Sequence, residues 1–208
     1  MKTPQRPLIV EYISLLLMLT LTVVSVANKD ISVFYILYLF WWDEVLKSIF
    51  DFLRRLFKKN QIANLEAYSK IVRTRFFFLF VYIVFIIVIF GLVINWEEDD
   101  IVLNNFNVVF FKNSFFNFTL LSFLLREIYL FRNDYGSIMV HHILSKGIIT
   151  LHISLILGII MWFFVTKQFG LTGLYPTLIS IVPFLLLKLY FETKEIQYNN
   201  LQRKQSSI

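Results

Sequence analysis

Long apolar runs recur along this chain of 208 residues, and they constrain its fold more than any other feature. A helical run of about 20 apolar residues is long enough to cross the ~30 Å hydrocarbon core of a bilayer. Six such runs are predicted, over residues 8–27, 31–53, 76–95, 111–131, 142–165 and 174–190. The chain is 58% hydrophobic and 18% aromatic, which excludes an ordinary soluble domain. We therefore predict a single all-α domain, a polytopic membrane protein with six transmembrane helices.

The distribution of Lys and Arg predicts the orientation of these spans. Lys29, Lys112 and Lys167 lie on one side of the predicted membrane, and the other 17 of the 20 basic residues lie on the opposite side with both termini. Segments rich in Lys and Arg remain in the cytoplasm. We therefore predict cytoplasmic termini and an exterior acidic loop at residues 97–100. The first run is too long for the apolar region of a signal peptide and ends without a cleavage site, so we expect it to be a span.

The second apolar run acquires charges before it has finished crossing the membrane. Asp43, Glu44, Lys47 and Asp51 follow two tryptophans and are spaced by three or four residues, which brings opposite charges within reach on a helix. An ionisable residue inside a span costs roughly 2.5–3.5 kcal/mol on insertion scales, so it indicates function by default. The alternative is that the helix has already reached the headgroups at Asp43 and forms an ordinary solvated end.

Other polar side chains lie in the later spans. Arg126 follows Thr119 and Ser122 on one face of the fourth span, His152 lies deep in the fifth, and Lys188 lies near the end of the sixth. At 1.5 Å per residue, Glu44 lies ~20 Å from the exterior and His152 ~15 Å from the cytoplasm, so both reach a similar level. We predict a polar centre whose members meet across the helices. Its residues are Glu44, His152 and Lys188, with Asp43, Lys47 and Arg126.

Alternatives stay open for several of these side chains. Lys188 can reach back toward Glu44 or extend to the headgroups, and Arg126 can likewise extend out of the membrane. For His152 the competing interpretation is a hydrogen-bonded side chain with a structural role. The tail from residue 192 onward is polar and is expected to be frayed.

Small residues recur on the fifth span. Thr150, Ser154 and Gly158 are four residues apart, which places them on one helix face. Such a stripe allows close approach of two helices. We predict that it marks a helix contact.

The sequence excludes several kinds of site. Cysteine is absent, which removes disulfides, thiolate metal sites and a Cys nucleophile. The chain has no HExxH motif, no GxSxG motif and no Gly-rich phosphate loop. His141 and His152 share a helix face but lie ~16 Å apart along the axis, too far for one ligand sphere. We therefore expect no metal and no cofactor, and we expect no nucleic-acid partner because the basic residues flank apolar runs.

Three segments resemble a known family. YLFWWDEVLKSIFDFLRRL, from residue 38, resembles the second helix of a group of uncharacterised prokaryotic integral membrane proteins, catalogued as a domain of unknown function. GIITLHISLILG resembles the fifth-helix pattern of that family around a buried His, and LLLKLYFETKEI resembles its last helix with a Lys. The resemblance implies that Glu44, His152 and Lys188 are the characteristic residues. Members carry further histidines where this chain has Tyr82 and Thr119, which does not favour a metal-dependent mechanism.

Two classes of function remain open. A small transporter or ion-coupled permease would use the polar centre to exchange protons or a charged solute. A membrane scaffold or assembly protein would bind anionic lipid or a protein partner through its basic segment Arg54–Arg75, with the buried polar residues only joining helices. An intramembrane enzyme that modifies lipid is a third candidate. The expected location is a prokaryotic plasma membrane, where the chain is a possible homo-oligomer.

Overall fold

Every element that the structure describes is a helix, which confirms the all-α prediction. The computed structural model describes residues 5–28, 32–62, 64–94, 99–133, 146–164 and 174–205. Its helices are α1 (Gln5–Ala27), α2 (Val33–Phe57), α3 (Leu65–Phe85), α4 (Asp99–Val109), α5 (Ser114–Arg132), α6 (Lys146–Trp162) and α7 (Leu174–Gln205). A 3-10 turn at Lys59–Gln61 precedes α3, and a π-helical segment at Ile86–Val93 extends it.

The helix α2 lies at the centre of the molecule and contacts α3, α5, α6 and α7. Residues 34–40 are buried without interruption, so all sides of this helix are covered. A helix that is apolar all round is a core helix, as this stretch of the sequence indicates. Ser32 caps its start by accepting a hydrogen bond from the Tyr35 amide at 3.3 Å. The position of α2 explains why its charged residues meet side chains from several other helices.

Three helices are long and apolar enough to cross a membrane. They are Pro7–Val26, Leu65–Val93 and the stretch Asp99–Arg132, which comprises α4, a turn and α5. Lys146–Met161 is a shorter apolar helix. The structure is thus compatible with a membrane protein, but the predicted count of six spans is not confirmed. The charged residues in the second half of α2 lower its hydropathy, and α6 has only 17 residues.

The basic segment before the third span differs from the prediction. The predicted third span begins at residue 76, so the sequence predicts that this helix starts only after Arg75. Instead, Asn64 accepts a hydrogen bond from the Ala67 amide at 3.0 Å and caps one helix that continues to Phe85. No Gly or Pro interrupts this sequence, so the helix has no reason to break there. Arg75 therefore lies inside α3.

The predicted fourth span is preceded by a helix that the apolar pattern did not indicate. Residues 99–109 form α4, whose asparagines interrupt the apolar run. Its Asn105 is buried, accepts a hydrogen bond from the Ser32 hydroxyl at 2.7 Å and donates to the Gly91 carbonyl at 3.3 Å. The chain then turns at Phe111, where φ is 57°, and Asn113 caps α5. These bonds join α4 to α2 and to the end of the α3 extension.

The small-residue stripe of α6 is buried. Thr150 and Ser154 are at most 1% exposed, and Gly158 lies against the ring of Phe90 from the α3 extension. A Cβ built on Gly158 would lie 2.5 Å from Phe90 Cε1, which is closer than real Cβ contacts.

We expect Gly158→Leu to lower the unfolding free energy in detergent by about 1–3 kcal/mol, because overpacking forces neighbouring side chains to move. A lower melting temperature in a detergent-based thermal assay would measure this loss. Ile159→Leu, at an exposed position on the same helix, is the control and should leave the melting temperature unchanged. An unchanged melting profile for Gly158→Leu would contradict the predicted contact.

Candidate functional site

Eleven ionisable side chains from α2, α3, α5 and α7 pack together in the interior of the bundle. Six are carboxylates and five are basic, so the cluster is close to neutral, and each residue is at most 7% exposed. Burying an isolated ion costs several kcal/mol, which makes mutual pairing the condition for such a cluster. We call this cluster the charge network. Its members are Asp43, Glu44, Lys47, Asp51, Arg54, Arg75, Arg126, Glu127, Lys188, Glu192 and Glu195.

Asp43 connects α2 with α5 and α7. Its Oδ1 accepts a hydrogen bond from Arg126 Nη2 at 2.6 Å, and its Oδ2 forms an ion pair with Lys188. Lys47 Nζ lies 3.4 Å from the same Oδ2, one turn along α2. Asp43 is fully buried, so its negative charge is balanced by protein groups alone. Three basic side chains from three helices therefore converge on Asp43.

Glu44 and Lys47 extend the network toward α3 and the end of α7. Lys47 Nζ donates to Glu44 Oε1 at 3.1 Å, and Arg75 Nη2 donates to Glu44 Oε2 at 3.3 Å. The same Lys47 ammonium lies 3.1 Å from Glu192 Oε1 and 3.7 Å from Glu195 Oε1. Lys47 therefore bridges two helices that are far apart in the sequence.

Asp51 binds the two arginines that bound the basic segment. Arg75 Nη1 donates to Asp51 Oδ2 and Arg54 Nη1 donates to Oδ1, both at 2.7 Å. The Tyr68 hydroxyl donates to the backbone carbonyl of Asp51 at 3.1 Å. Arg75 is 0% exposed, so its guanidinium is entirely committed to the interior. These contacts fix α3 against the second half of α2.

Glu192 completes the network from α7, just beyond the predicted sixth span. Its carboxylate lies 2.6 Å from Lys188 and 3.7 Å from Arg126 Nη1. Burial by itself would raise the pKa of Glu192, but the adjacent Lys188 and Lys47 ammonium groups lower that pKa to about 2. Glu192 is therefore ionised at neutral pH and balances the basic side chains around it.

A glycine of α6 makes room for Glu44. A Cβ built on Gly147 would overlap the Glu44 carboxylate, which Lys47 and Arg75 hold in place. Only a residue without a side chain allows α6 to pass this close to the carboxylate. Gly147 thus belongs to the site although it carries no charge.

A small polar cavity adjoins the charge network. Its volume is about 30 Å³, and it reaches from the network to the residues near the chain termini. A cavity needs roughly 10–15 Å³ per water molecule, so about two waters fit. At its rim, Arg203 donates two hydrogen bonds to the Glu11 carboxylate, at 2.8 and 3.1 Å. The polar residues that line it include Glu11, Lys47, Arg126, Glu192, Asn199 and Arg203.

The structure brings together five of the six residues predicted for the polar centre. Asp43, Glu44, Lys47, Arg126 and Lys188 all lie in the charge network. Lys188 binds Asp43 and Glu192, and Glu44 binds Lys47 and Arg75. Lys47 also contacts Asp43 and Glu192, so it links Glu44 with Lys188 through these neighbours.

His152 lies elsewhere. Its side chain is exposed, and its Nδ1 is 3.3 Å from the Tyr82 hydroxyl. The expectation that it is buried with Glu44 was wrong, because His152 is two residues from the buried Ser154 and thus about 200° around the helix. His141 and His142 lie outside the described residues.

Several members of the network were missed in the sequence. Glu192 and Glu195 fall in the segment expected to be a frayed tail, yet α7 continues to Gln205 and buries both. Their spacing from Lys188, four and seven residues, is a helical signal that indicates one face. Arg75 carried no such signal, because its partners Glu44 and Asp51 lie on α2. Glu127 pairs with its neighbour Arg126 at 3.0 Å, a spacing that does not indicate a shared helix face.

Comparison with known proteins places the chain in a family. No curated protein matches it, and no solved structure matches it. One family model matches residues 1–208, the whole chain. The resemblance to an uncharacterised domain family, based on the second, fifth and last helices, is thereby confirmed. The chain belongs to the family described as Family of unknown function (DUF6498).

Proposed function

We propose that the protein is a small membrane transporter or ion-coupled permease in which the charge network exchanges protons. The observation that carries this proposal is the burial of eleven ionisable side chains between helices, beside a polar cavity. Ionisable residues in the interior of membrane proteins are costly to bury, and they mark ion pathways and proton relays. In such a relay, Asp43 and Glu44 would accept protons when a basic partner moves away.

The size of the cavity favours protons over a larger solute. Pockets that bind drug-sized molecules measure about 300–1,000 Å³, whereas this cavity has a volume of about 30 Å³. Two waters fit beside Lys47 and Glu192, and water can pass protons between neighbouring ionised groups. The proposed substrate is therefore the proton, and His152 has no part in the relay.

Reconstitution into liposomes tests the proposal. With the membrane voltage clamped by K⁺ and valinomycin, a pH-sensitive dye inside the vesicles should report faster proton entry than in empty vesicles. The double variant Asp43→Asn/Lys188→Met removes one ion pair and keeps the charge network near neutral, so we expect it to fold. Its rate of proton entry should be at least about tenfold lower than that of the native protein. The exposed pair Asp100→Asn/Lys112→Met is the matched control and should keep the full rate. Proton entry no faster than in empty vesicles would contradict the proposal.

We further propose six spans in a prokaryotic plasma membrane, with both termini in the cytoplasm. The unequal distribution of basic residues supports this orientation. Reporter fusions at Gln205 and within residues 58–70 are expected to read as cytoplasmic, and a fusion at Asp99 as exterior. An exterior reading at Gln205 would overturn the six-span topology.

A second candidate function is lipid or partner binding through the basic segment. Its bounding residues Arg54 and Arg75 bind Asp51 in the interior, so this function would depend on Lys70 and Arg73. Both are exposed and line a shallow groove that ends at Phe77, which suits a phosphate group above an acyl chain. A protein with only this function should show no proton flux in the liposome assay.

A further inference from the structure

Three hydroxyl groups on α1 are buried without a hydrogen-bond partner among the described residues. Ser14, Thr22 and Ser25 are 3%, 0% and 0% exposed, and their hydroxyl oxygens bond to no protein group there. Ser154 on α6 has a buried hydroxyl of the same kind, but several other helical hydroxyls among the described residues are hydrogen-bonded. Those of Ser48, Thr119 and Thr150 donate to the carbonyl four residues earlier, at 2.7–2.9 Å.

The three hydroxyls lie on one face of α1 that begins at the polar cavity. Glu11, which lines that cavity, is followed by Ser14, Met18, Thr22 and Ser25 at steps of three or four residues, and all five are buried. This face is turned inward, because α1 contacts α5 and α7. From Ser14 to Ser25 the face extends ~16 Å, about half the thickness of a bilayer core.

A buried hydroxyl without a partner destabilises a protein, so three on one helix face call for an explanation. Water is the usual partner of buried polar groups that the protein leaves unpaired. Along this face Glu11 and Ser14 are about one helical turn apart, as are Thr22 and Ser25, whereas Ser14 and Thr22 are about two turns apart. The apolar Met18 lies between Ser14 and Thr22, and its flexible side chain makes it the narrow point of such a path.

We propose that the inward face of α1 binds a chain of water molecules that connects the cavity at Glu11 with the exterior half of the bundle. Its role as a proton path to the charge network rests on the proposed function. The hydration itself does not, and it can be measured without any transport assay. Ser14, Thr22 and Ser25 supply hydrogen-bond partners along the path, and Met18 separates its inner and outer parts.

The absence of native cysteine allows a direct test of hydration. Single variants Ser14→Cys, Thr22→Cys and Ser25→Cys are close in size to the native residues, and a thiol reacts with a methanethiosulfonate reagent only where water allows it to ionise. In membrane vesicles exposed to 2-aminoethyl methanethiosulfonate, we expect each to be labelled at least about tenfold faster than two controls. The controls are Val23→Cys, which is exposed on the outer face of the same helix, and Leu39→Cys in the apolar core.

Each outcome of this experiment is informative. Labelling of all three variants at the rate of Leu39→Cys would overturn the proposal. Because each Ser→Cys change is nearly isosteric, Ser14→Cys and Ser25→Cys decide the test even where Thr22→Cys fails to insert. Fast labelling without proton flux would support the water path and contradict the proposed transport of protons. Proton flux without fast labelling would support proton transport and contradict the water path.

Discussion

The variant Asp43→Asn is expected to lose about 3–5 kcal/mol of unfolding free energy, the range measured when one partner of a buried ion pair is removed. The amide keeps the size of the carboxylate but removes its charge. Arg126 and Lys188 would then remain buried without the carboxylate that both of them contact.

Reversible unfolding in mixed micelles measures this loss. Asp100→Asn, at an exposed acidic position, is the control and should change stability by less than about 0.5 kcal/mol. The double variant Asp43→Asn/Lys188→Met should lose less than the sum of its single changes, because the two residues contact each other. Strictly additive losses would show that the Asp43–Lys188 pair contributes nothing to stability.

The second large effect is expected at Gly147, where even a methyl group does not fit. We expect Gly147→Ala to lower the unfolding free energy by about 3 kcal/mol or more. This loss exceeds that of ordinary overpacking, because the group that must move is a carboxylate held by two basic side chains. Displacing Glu44 would weaken its bonds to Lys47 and Arg75. The thermal midpoint in detergent and the yield of monodisperse protein would both fall.

A second glycine supplies the control for this variant. At Gly91 the nearest atom to an added Cβ is Phe34 Cε2 at 3.2 Å, so Gly91→Ala requires a shift of only a few tenths of an ångström. Its loss should be clearly smaller than that of Gly147→Ala. In the double variant Glu44→Ala/Gly147→Ala the carboxylate that clashes is gone, so part of the stability lost through the clash should return. Equal stability of Gly147→Ala and Gly91→Ala would exclude the proposed overlap.

The central part of the site was visible in the sequence because its first contacts are local. Lys47 pairs with Asp43 and Glu44 over one turn of α2, and a helix of known period implies this without any tertiary structure. The burial of residues 34–40 follows in the same way from their unbroken apolar character. The all-α prediction rested on this kind of evidence.

The remaining contacts depend on how the helices are rotated and packed, which a single sequence does not encode locally. Arg126 and Lys188 were recognised as candidates, but their common partner was Asp43 rather than Glu44. His152 was placed by its depth and by the family resemblance, and neither determines which way the side chain faces in this bundle. The same limit explains why the carboxylates of Glu192 and Glu195 were assigned to a polar tail.

The ion pairs of α2 also have an implication for biosynthesis. Asp43 precedes Arg126 by 83 residues and Lys188 by 145, so α2 is synthesised well before these partners exist. In the proposed membrane topology, Lys47 is the cation already present on the nascent helix, and it lies within 3.4 Å of both Asp43 and Glu44. It offsets part of their charge while α2 leaves the translocon. The later arrival of α5 and α7 then adds pairing across the finished bundle to this intrahelical neutralisation.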